Sequence, residues 1–367
     1  MSKKAKSWSK PDIKFMALAF AEARKVKGKT LPNPAVGAVL VNAGKVIGKG
    51  GTRPAGQSHA EIVALGKAGQ QAKGSTLYVT LEPCSHHGRT PPCVDSLIAA
   101  GIRKVVVAIQ DANPLVRGKG IRTLRLAGIQ VEVGLMSEEA SHFYSGFFFR
   151  ILHGRPKIIL KIAQSLDGHI NAKPGQETPI TGEESRTQVH VLRTEVDAVL
   201  IGGRTLRIDN PDLTPRKVKG SVPEAIVLSR NGPFPLGARL FKKDRQANTV
   251  VVSKSDKGLP NWVDHVSLTS SRGKSSAAKA IEALFALFDQ RGYHTVLVEG
   301  GPQIWALFLA TGLWDTLFLV TAPKLLPKGE SWDAVLPQDW GKSLKFRNFA
   351  SFGKDFWAEF ENSQAHG

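Results

Sequence analysis

The sequence predicts an α/β protein with two domains. Short apolar strands alternate with amphipathic helices through both halves of the chain, which is typical of a sheet covered by helices. The length of 367 residues exceeds the usual size of a single domain. The alternation pauses at the aromatic and then basic segment HFYSGFFFRILHGRP, which we expect to pack between the halves rather than bind a ligand. We therefore place the domain boundary near residue 150, with domains over 1–150 and 151–367.

The N-terminal half opens with a helix and a hairpin. Ser9 and Asp12 have the spacing of a capping box, and apolar residues at helical period continue to about residue 27. VGAVLV and KVIGKG are short apolar runs whose three-residue connection, Asn-Ala-Gly, predicts a hairpin. Alternating elements follow: a helix opening at His59, a strand at 75–81, a helix at 91–101, a strand at 104–110, and a last helix and strand in RTLRLAG and IQVEVG.

The C-terminal half repeats the alternation from a strand that begins at residue 156. PKIILKIA and HTVLVEGG are largely apolar runs, as expected of strands buried in a parallel sheet. Further strands are predicted in DAVLIGG, EAIVLS and NTVVVS, and helices in TGEESRTQVHVLRTE, SSAAKAIEALFALFDQRG and PQIWALFLATG.

The composition describes a folded protein with a basic N-terminal half. Apolar residues make up 42% and charged residues 22%, which excludes a disordered or fibrous chain. The net charge is +19, and residues 1–150 carry 22 Lys and Arg against 9 Asp and Glu. Such a potential attracts phosphorylated ligands and polyanions alike, and it equally serves as a solvated surface.

The chain has no segment with the character of a membrane span, which needs about 18 consecutive apolar residues. The basic start MSKKAKSW is followed by no apolar run of the kind that a secretory signal requires. Two cysteines nine positions apart in a reducing compartment indicate ligands or catalysts rather than a disulfide. We expect a cytoplasmic protein.

His59, Cys84 and Cys93 have the chemistry of a zinc site. Zinc in catalytic sites takes three protein ligands and keeps a fourth place for water. His59 opens one predicted helix, Cys84 follows a strand, and Cys93 lies in the first turn of the next helix, where the helix dipole favours a thiolate. Glu61 is close enough to reach the bound water as a proton carrier, the role of the non-ligand glutamate in zinc deaminases.

Three motifs resemble the bifunctional deaminase-reductase family of riboflavin biosynthesis: PNPAVG (32–37), HAEIVAL and TLEPCSHHGRTPPC (80–93). The eight-residue insert between the cysteines separates that family from tRNA and cytidine deaminases. The C-terminal half is similar to the family's reductase in LKIAQSLDG, IGGRTLRIDNPDLTPR and VLVEGGPQIW. The resemblance implies a cytidine-deaminase-like three-layer α/β/α domain followed by a dihydrofolate-reductase-like α/β domain.

The resemblance also implies two successive reactions. The first domain would use Zn²⁺ to deaminate 2,5-diamino-6-(phosphoribosylamino)pyrimidin-4-one by hydrolysis, with Glu61 as the catalytic residue. The second domain would use NADPH to reduce 5-amino-6-(phosphoribosylamino)uracil to the ribitylamino product. A small phosphorylated pyrimidine is therefore the expected substrate and a homo-oligomer the expected assembly, whereas a membrane and a nucleic acid are not expected partners.

Individual residues carry over by their place in the family's motifs. Asn33 would contact the pyrimidine, although an asparagine before proline is also an ordinary turn residue. Arg89, in the insert between the cysteines, would grip a phosphate or ribose. In the reductase half, the residues implied to meet the substrate are Arg193, Leu213, Arg216 and Glu299. Those implied to lie along NADPH are Gln164, Thr205, Asp209, Ser229, Gly301, Pro302, Gln303, Ile304, Trp305, Ala306 and Leu307.

Several polar residues have no single assignment. Glu82 can orient a ligand or cap a turn. Asp209 and Glu299 are both candidate proton donors for the reduction. The segment GQETPIT departs from the family pattern, and we assign its Glu177 and Pro179 no role.

Two other functions compete with this interpretation. A nucleic-acid base deaminase would use the basic N-terminal half, but it gives the second domain no role. A non-enzymatic module held together by a structural zinc would need His86 or His87 as a fourth ligand, and it gives Glu61 no role.

Overall fold

The chain divides into two compact units, Met1–Gly154 and Arg155–Gly367. The computed structural model describes residues 7–86, 91–114, 116–173, 175–245, 248–268, 275–332 and 340–364. Among these residues, every helix is too short or too polar to cross a membrane.

The first unit has the mixed α/β composition that the sequence predicts. Its described helices are α1 (Lys10–Val26), α2 (Ala60–Ala68), α3 (Cys93–Ala99), α4 (Lys119–Leu126), α5 (Ser137–Phe143) and α6 (Ser145–His153). Its strands are β1 (Gly37–Asn42), β2 (Lys45–Gly51), β3 (Thr76–Val79), β4 (Lys104–Val107) and β5 (Gln130–Val133). The predicted elements are confirmed, and α5 and α6 add two helices in and just before the aromatic segment.

The five strands form one sheet in the order β2-β1-β3-β4-β5. The hairpin of β1 and β2 is antiparallel, β1 also pairs antiparallel with β3, and β3, β4 and β5 run parallel. Helices α2, α3 and α4 bury their apolar residues against one face of this sheet. Helices α1, α5 and α6 cover the opposite face. The layers are therefore helix, sheet and helix.

The capping box predicted for α1 is confirmed. The Asp12 N–H donates to Ser9 Oγ over 3.2 Å, and the Ser9 N–H donates to Asp12 Oδ2 over 3.3 Å. The Tyr78 hydroxyl donates to Asp12 Oδ1 over 2.6 Å, so the same carboxylate also ties α1 to β3. Two orphan N–H groups of the helix start are satisfied in this way.

The second unit is built around a larger sheet. Its described helices are α7 (Glu183–Thr194), α8 (Gly203–Asp209), α9 (Ser276–Arg291) and α10 (Pro302–Thr311). Its strands are β6 (Lys157–Ser165), β7 (Ala198–Gly202), β8 (Glu224–Leu228), β9 (Thr249–Ser253), β10 (Asp264–Ser267), β11 (Thr295–Gly300), β12 (Thr316–Ala322), β13 (Leu344–Phe352) and β14 (Asp355–Asn362).

The nine strands are ordered β10-β9-β8-β7-β11-β6-β12-β14-β13. The first seven in this order run parallel, and β14 and β13 close the sheet as an antiparallel hairpin. Five of these parallel strands, β6, β7, β8, β9 and β11, are apolar runs that the sequence predicts, whereas β10 and β12 were not predicted. The hairpin escaped sequence reasoning because LKFRNFASF has no regular alternation: β13 is largely exposed and carries a bulge.

The parallel sheet contains a point where its connections diverge. From β7 the chain passes through α8 to β8 on one side, whereas from the adjacent β11 it passes through α10 to β12 on the other side. In open α/β sheets, ligands bind at the carboxyl ends of strands at such a point. The carboxyl ends of β7 and β11 are therefore the expected ligand-binding edge of this sheet.

Candidate active sites

Three ligand atoms converge in the first unit. His59 is the N-cap of α2, Cys84 follows β3, and Cys93 is the first residue of α3. His59 Nδ1 lies 3.2 Å from Cys93 Sγ and 3.5 Å from Cys84 Sγ, and all three ligand atoms lie within 4.8 Å of one another. Tetrahedral zinc, with bonds of about 2.0 Å to nitrogen and about 2.3 Å to sulfur, would separate such atoms by about 3.5 Å. The residues therefore fit a zinc ion.

The start of α3 prepares Cys84 as a thiolate. The Cys93 N–H donates to Cys84 Sγ over 3.3 Å, and the Val94 N–H donates to the Cys84 carbonyl over the same distance. Hydrogen bonds from the Cys93 thiol and from His59 lower the pKa of Cys84 to about 4. The same thiol–thiolate bond and burial raise the pKa of Cys93. Without metal the pair shares one proton, which zinc would displace because it binds thiolates.

Glu61 adjoins this cluster without belonging to it. It lies in the first turn of α2 and is only 3% exposed. Burial, reinforced by the nearby Cys84, raises the pKa of Glu61 to about 7 in the absence of metal. Among the described residues the cluster holds three ligands and does not include His86, so these residues fill three of the four places of a tetrahedral zinc. His87 lies outside the described residues.

A cavity of about 380 Å³ opens beside the cluster. Its lining includes His59, Cys84 and Glu61, and also Asn33 from the PNPAVG segment, as the family resemblance implies. Asp111 and Asn113, to which the sequence assigned no role, line it as well. Phe147 and Ile151 also line it, although they belong to the aromatic segment that was expected to pack between the halves rather than bind a ligand. Arg89 lies outside the described residues.

The structure decides the role of Glu82 in favour of capping. Its carboxylate is 4% exposed and accepts three backbone N–H groups, from Asp111 (3.2 Å), Gly118 (3.0 Å) and Ile121 (3.2 Å). Gly118 is the N-cap of α4, and Asp111 begins the loop at the cavity wall. Glu82 thus holds that loop and the start of α4 against the strand end that leads to Cys84.

In the second unit, paired glycines stand at the two strand ends where the connections diverge. Gly202 and Gly203 end β7 and begin α8, and Gly300 and Gly301 end β11 and precede α10. A Cβ on Gly300 would lie 2.7 Å from the Ile201 Cα, so the strands approach too closely for a side chain. Gly301 has φ +87°, a conformation that other residues rarely adopt.

Polar groups predicted to contact the cofactor collect around these glycines. A Cβ on Gly301 would lie 3.2 Å from Thr205 Oγ1, and a Cβ on Gly203 would lie 2.3 Å from Ser229 Oγ. Bare backbone at a helix start, flanked by hydroxyl groups, suits the phosphates of a dinucleotide. The second unit therefore fits NADPH at this edge of its sheet.

The remaining predicted cofactor residues differ from one another in their burial and hydrogen bonds. Gln164 accepts a hydrogen bond from Trp332 Nε1 over 2.7 Å and donates to Thr321 Oγ1 over 3.3 Å. Asp209 ends α8, and burial, reinforced by Glu177, raises its pKa to about 6. Along α10, Ile304 and Trp305 are buried, Gln303 is exposed, and Pro302, Ala306 and Leu307 are half-buried. The side chains of Ile304 and Trp305 are core, and their N–H groups are donated to the Gly301 carbonyl over 3.0 and 3.2 Å.

Comparison with known proteins assigns both halves of the chain. Residues 9–109 match the cytidine and deoxycytidylate deaminase zinc-binding region, and residues 156–357 match the RibD C-terminal domain. The chain belongs to the RibD family. The riboflavin biosynthesis protein RibD of Aquifex aeolicus is 43% identical over 337 residues, which cover 92% of this chain and 94% of that relative. RibD of Escherichia coli is 36% identical over 340 residues, with 89% and 91% covered.

Solved structures agree with the RibD assignment along almost the whole chain. The deaminase/reductase of Thermotoga maritima has a TM-score of 0.76 at 32% identity and covers 96% of this chain and 99% of its own. Acinetobacter baumannii RibD has a TM-score of 0.75 at 33% identity, with 97% and 99% covered. The chain is a bifunctional enzyme of riboflavin biosynthesis, a zinc-dependent deaminase and an NADPH-dependent reductase. The reductase match gives the second half the role that a nucleic-acid deaminase leaves unexplained.

The predicted substrate residues of this RibD reductase half differ in their surroundings. Arg193 and Glu299 pair with each other, Nε to Oε1 over 2.6 Å and a terminal nitrogen to Oε2 over 2.8 Å. Arg216 is more than half exposed, with its guanidinium 4.0 Å from Asp212. The Leu213 side chain is core, at 2% exposure, so only the backbone of this residue is available to meet a substrate. Its φ of +61° is a strained value of the kind found at functional sites.

Lys161 is a polar residue of this region that sequence reasoning missed. Leu160 on β6 pairs with Val298 on β11, which places the following residues, Lys161 and Glu299, on adjacent strands. Burial lowers the pKa of Lys161, and Glu299 opposes that shift. For Glu299, burial is outweighed by Arg193 and Lys161, which lower its pKa. The available signal was a lysine inside the apolar run PKIILKIA.

Proposed function

We propose that the two units catalyse consecutive steps on one phosphorylated pyrimidine. The first would hydrolyse diaminohydroxyphosphoribosylaminopyrimidine, and the second would reduce 5-amino-6-(5-phosphoribosylamino)uracil, the two activities named for the Thermotoga maritima relative. The deaminase would occupy residues 1–150 and the reductase 151–367, a division supported by the compact units that part at Gly154. The observation that carries the proposal is Glu61, buried in a cavity wall beside three zinc-type ligands.

In the deaminase, Glu61 would move the proton. His59, Cys84 and Cys93 would hold zinc, which when bound supplies a water of lowered pKa as the nucleophile. Glu61 takes a proton from the attacking group and delivers it to the departing amine, which leaves as ammonia. Burial in the cavity wall keeps the carboxylate out of bulk water, so its proton passes to the substrate rather than to solvent.

The substrate would be oriented by the rest of the same cavity. Asn33 offers an amide that can donate to and accept from a pyrimidine edge. Asp111 and Asn113, held in place by Glu82, are suited to the ribose hydroxyls. Arg89 would bind the phosphate, because a guanidinium meets two phosphate oxygens at once.

In the reductase, the cofactor would rest on the glycine edge and supply the hydride when bound. Ile304 and Trp305 donate their N–H groups to the Gly301 carbonyl, so Gly301 and Gln303 offer the N–H groups of this turn that suit a phosphate. Thr205, Ser229, Asp209 and Gln164 would contact the remainder of NADPH.

The reductase substrate would bind where charged side chains adjoin that edge. The exposed Arg216 suits the substrate phosphate, with the Leu213 backbone beside it. The Arg193–Glu299 pair and the neighbouring Lys161 would meet the sugar and the pyrimidine, and Lys161 joins Asp209 and Glu299 as a candidate proton donor.

The substitution Glu61→Gln tests the deaminase assignment. The amide retains the shape of the side chain but cannot carry the proton, so we expect ammonia release to fall by at least about 100-fold. Bound zinc, measured by elemental analysis, should remain at the wild-type level. NADPH oxidation with the deaminated uracil should continue unchanged and serves as the internal control. Full ammonia release by this variant would remove Glu61 from the mechanism.

We also propose a homo-oligomer built on the edge strand β13. Phe346, Phe349 and Phe356 on this hairpin are 59%, 56% and 43% exposed, and the rings of Phe349 and Phe356 stack at 5.8 Å. An identical strand related by a twofold axis would satisfy the edge backbone and cover these rings. Sedimentation equilibrium of the wild type and of Phe349→Glu measures this: the wild type should be dimeric or larger and the variant monomeric. A monomeric wild type would refute it.

We further propose that the enzyme acts in the cytoplasm. Both cysteines are free in the structure, and both must stay reduced to bind zinc.

A further inference from the structure

Tyr144 buries a hydroxyl group in the first unit at the junction of α5 and α6. The residue is 2% exposed and packs in the core cluster on the α1 side of the sheet. Its hydroxyl lies 3.1 Å from the Ala35 carbonyl and 2.6 Å from Thr80 Oγ1. Thr80 is fully buried at the end of β3, two residues before Glu82. Tyr144 does not line the cavity, so it cannot touch a substrate there.

These contacts form a closed chain of hydrogen bonds. The Ala35 carbonyl can only accept, so the Tyr144 hydroxyl donates to it and must accept from Thr80. Thr80 Oγ1 in turn accepts the Gly37 N–H over 3.0 Å. The hydrogen bonds therefore run from the Gly37 N–H through the Thr80 and Tyr144 hydroxyl groups to the Ala35 carbonyl. Each hydroxyl donates once and accepts once.

The segment held by this chain carries a wall of the deaminase cavity. Val36, between the two anchored residues, donates its N–H to Thr52 Oγ1 over 3.1 Å. Three consecutive residues are thus fixed by buried side-chain hydroxyls. Asn33 lies two residues before Ala35 and lines the cavity. The position of its amide depends on the backbone that Tyr144 anchors.

Helix α6, which begins just after Tyr144, supplies another wall of the cavity. Phe147 and Ile151 follow Tyr144 on α6 and line the cavity. The match to the deaminase zinc-binding region ends at residue 109, so α5 and α6 lie beyond it. Tyr144 is the hydrogen-bonded link between this added apolar wall and the polar segment that contains Asn33.

We propose that Tyr144 is a positioning residue of the deaminase. Through Thr80 and Ala35 it holds the Asn33 segment at a fixed distance from the Phe147–Ile151 wall, and so sets the width of the slot that accepts a pyrimidine. The inference rests on the proposed deaminase function for its catalytic consequence, but its structural part is independent of the substrate.

The test compares Tyr144→Phe with Tyr78→Phe in the full-length, zinc-loaded enzyme. Both variants remove one hydroxyl from a tyrosine buried in the same core cluster. The Tyr78 hydroxyl bonds Asp12 on α1, which does not line the cavity. Tyr144→Phe should raise the deaminase KM roughly 3- to 10-fold, with a smaller change in kcat, because the substrate contact it disturbs is made in ground and transition states alike. Tyr78→Phe should leave KM within 2-fold of wild type, and both variants should keep wild-type reductase activity.

Amide hydrogen exchange gives a second readout that needs no substrate. Exchange at Val36 and Gly37 should become faster in Tyr144→Phe than in Tyr78→Phe. Thr80→Val, which breaks the chain at its middle, should reproduce the effect and serves if Tyr144→Phe does not fold. Equal exchange and equal KM in the two tyrosine variants would overturn the proposal. If the wild type fails to deaminate the pyrimidine, the proposed substrate is wrong, and the exchange rates still decide the role of Tyr144.

Discussion

Two buried glutamates in the same cavity wall have different roles because their neighbours differ. Glu82 accepts three backbone N–H groups, which occupy its lone pairs and make it a structural anchor. Glu61 lies beside the two cysteines and His59 and lines the same cavity. At this scale, the number of donors around a carboxylate separates an anchor from a proton carrier.

Glu299 has a third kind of environment, in which the neighbouring cations Arg193 and Lys161 favour its ionised form. Its side chain is 8% exposed and that of its partner Arg193 is 12% exposed. We predict that Glu299→Gln destabilises the second unit by about 3–5 kcal/mol at pH 7, because it leaves Arg193 and Lys161 without their anion. Urea denaturation, with hydrogen exchange followed at the amides of β6 and β11, measures this cost.

The pH dependence of that cost follows from the lowered pKa of Glu299. A carboxyl whose pKa is lower in the folded state stabilises the protein above its unfolded pKa, about 4.3, and loses that contribution as pH falls through the folded value. The gap between wild type and Glu299→Gln should therefore be constant near neutrality and shrink below about pH 4. Glu330→Gln is the control, because the Arg204–Glu330 pair is bidentate but partly exposed and should cost about 1 kcal/mol or less. A gap that grows in acid would contradict the assignment.

At the scale of elements, the second unit needs glycines at the ends of strands β7 and β11, because a side chain would not be accommodated there. Gly300 lets β11 approach β7, and Gly301 turns the chain into α10 with a positive φ. The same helix ends at Gly312, also with positive φ but with open space around it. Both ends of α10 thus need a residue that adopts a positive φ, but only a Cβ at the Gly301 end would meet a neighbouring side chain.

We predict that Gly301→Ala weakens NADPH binding by at least about 10-fold, because the added Cβ strains the turn and approaches Thr205 Oγ1. Gly312→Ala imposes a comparable backbone strain at the far end of α10 and should leave the cofactor affinity unchanged. Fluorescence titration with NADPH gives both dissociation constants, and the deaminase activity of both variants should equal that of wild type. Equal affinities in the two variants would argue against this edge as the cofactor site.

At the scale of the whole molecule, the two units differ in their need for a metal ion. The zinc-type ligands all belong to the first unit, and they join the starts of α2 and α3 to the end of β3. Among the described residues, the second unit holds no comparable cluster. Metal should therefore control one activity and leave the other intact.

We predict that removal of zinc by a chelator abolishes ammonia release and leaves NADPH oxidation with the deaminated uracil unchanged. The melting temperature of the first unit should fall as well, because three elements lose their common ligand. Calorimetry and parallel assays before and after readdition of zinc measure both effects. Deamination by fully metal-free protein would refute the zinc assignment.

The sequence by itself determined the features that depend on local spacing and residue chemistry. These are the order of most helices and strands, the capping box of α1, and the set of His59 and two cysteines. The place of Asn33 in the cavity wall was implied by the resemblance of its PNPAVG motif to a known family. Only the tertiary structure decided which distant residues meet: Tyr144 with Ala35 and Thr80, Lys161 with Glu299, and the β13–β14 hairpin with β12. Periodicity reports which face of an element is apolar, but it does not report which elements become neighbours. These contacts join residues tens to more than a hundred positions apart, so they follow from strand order and register, which the packing of the whole sheet decides.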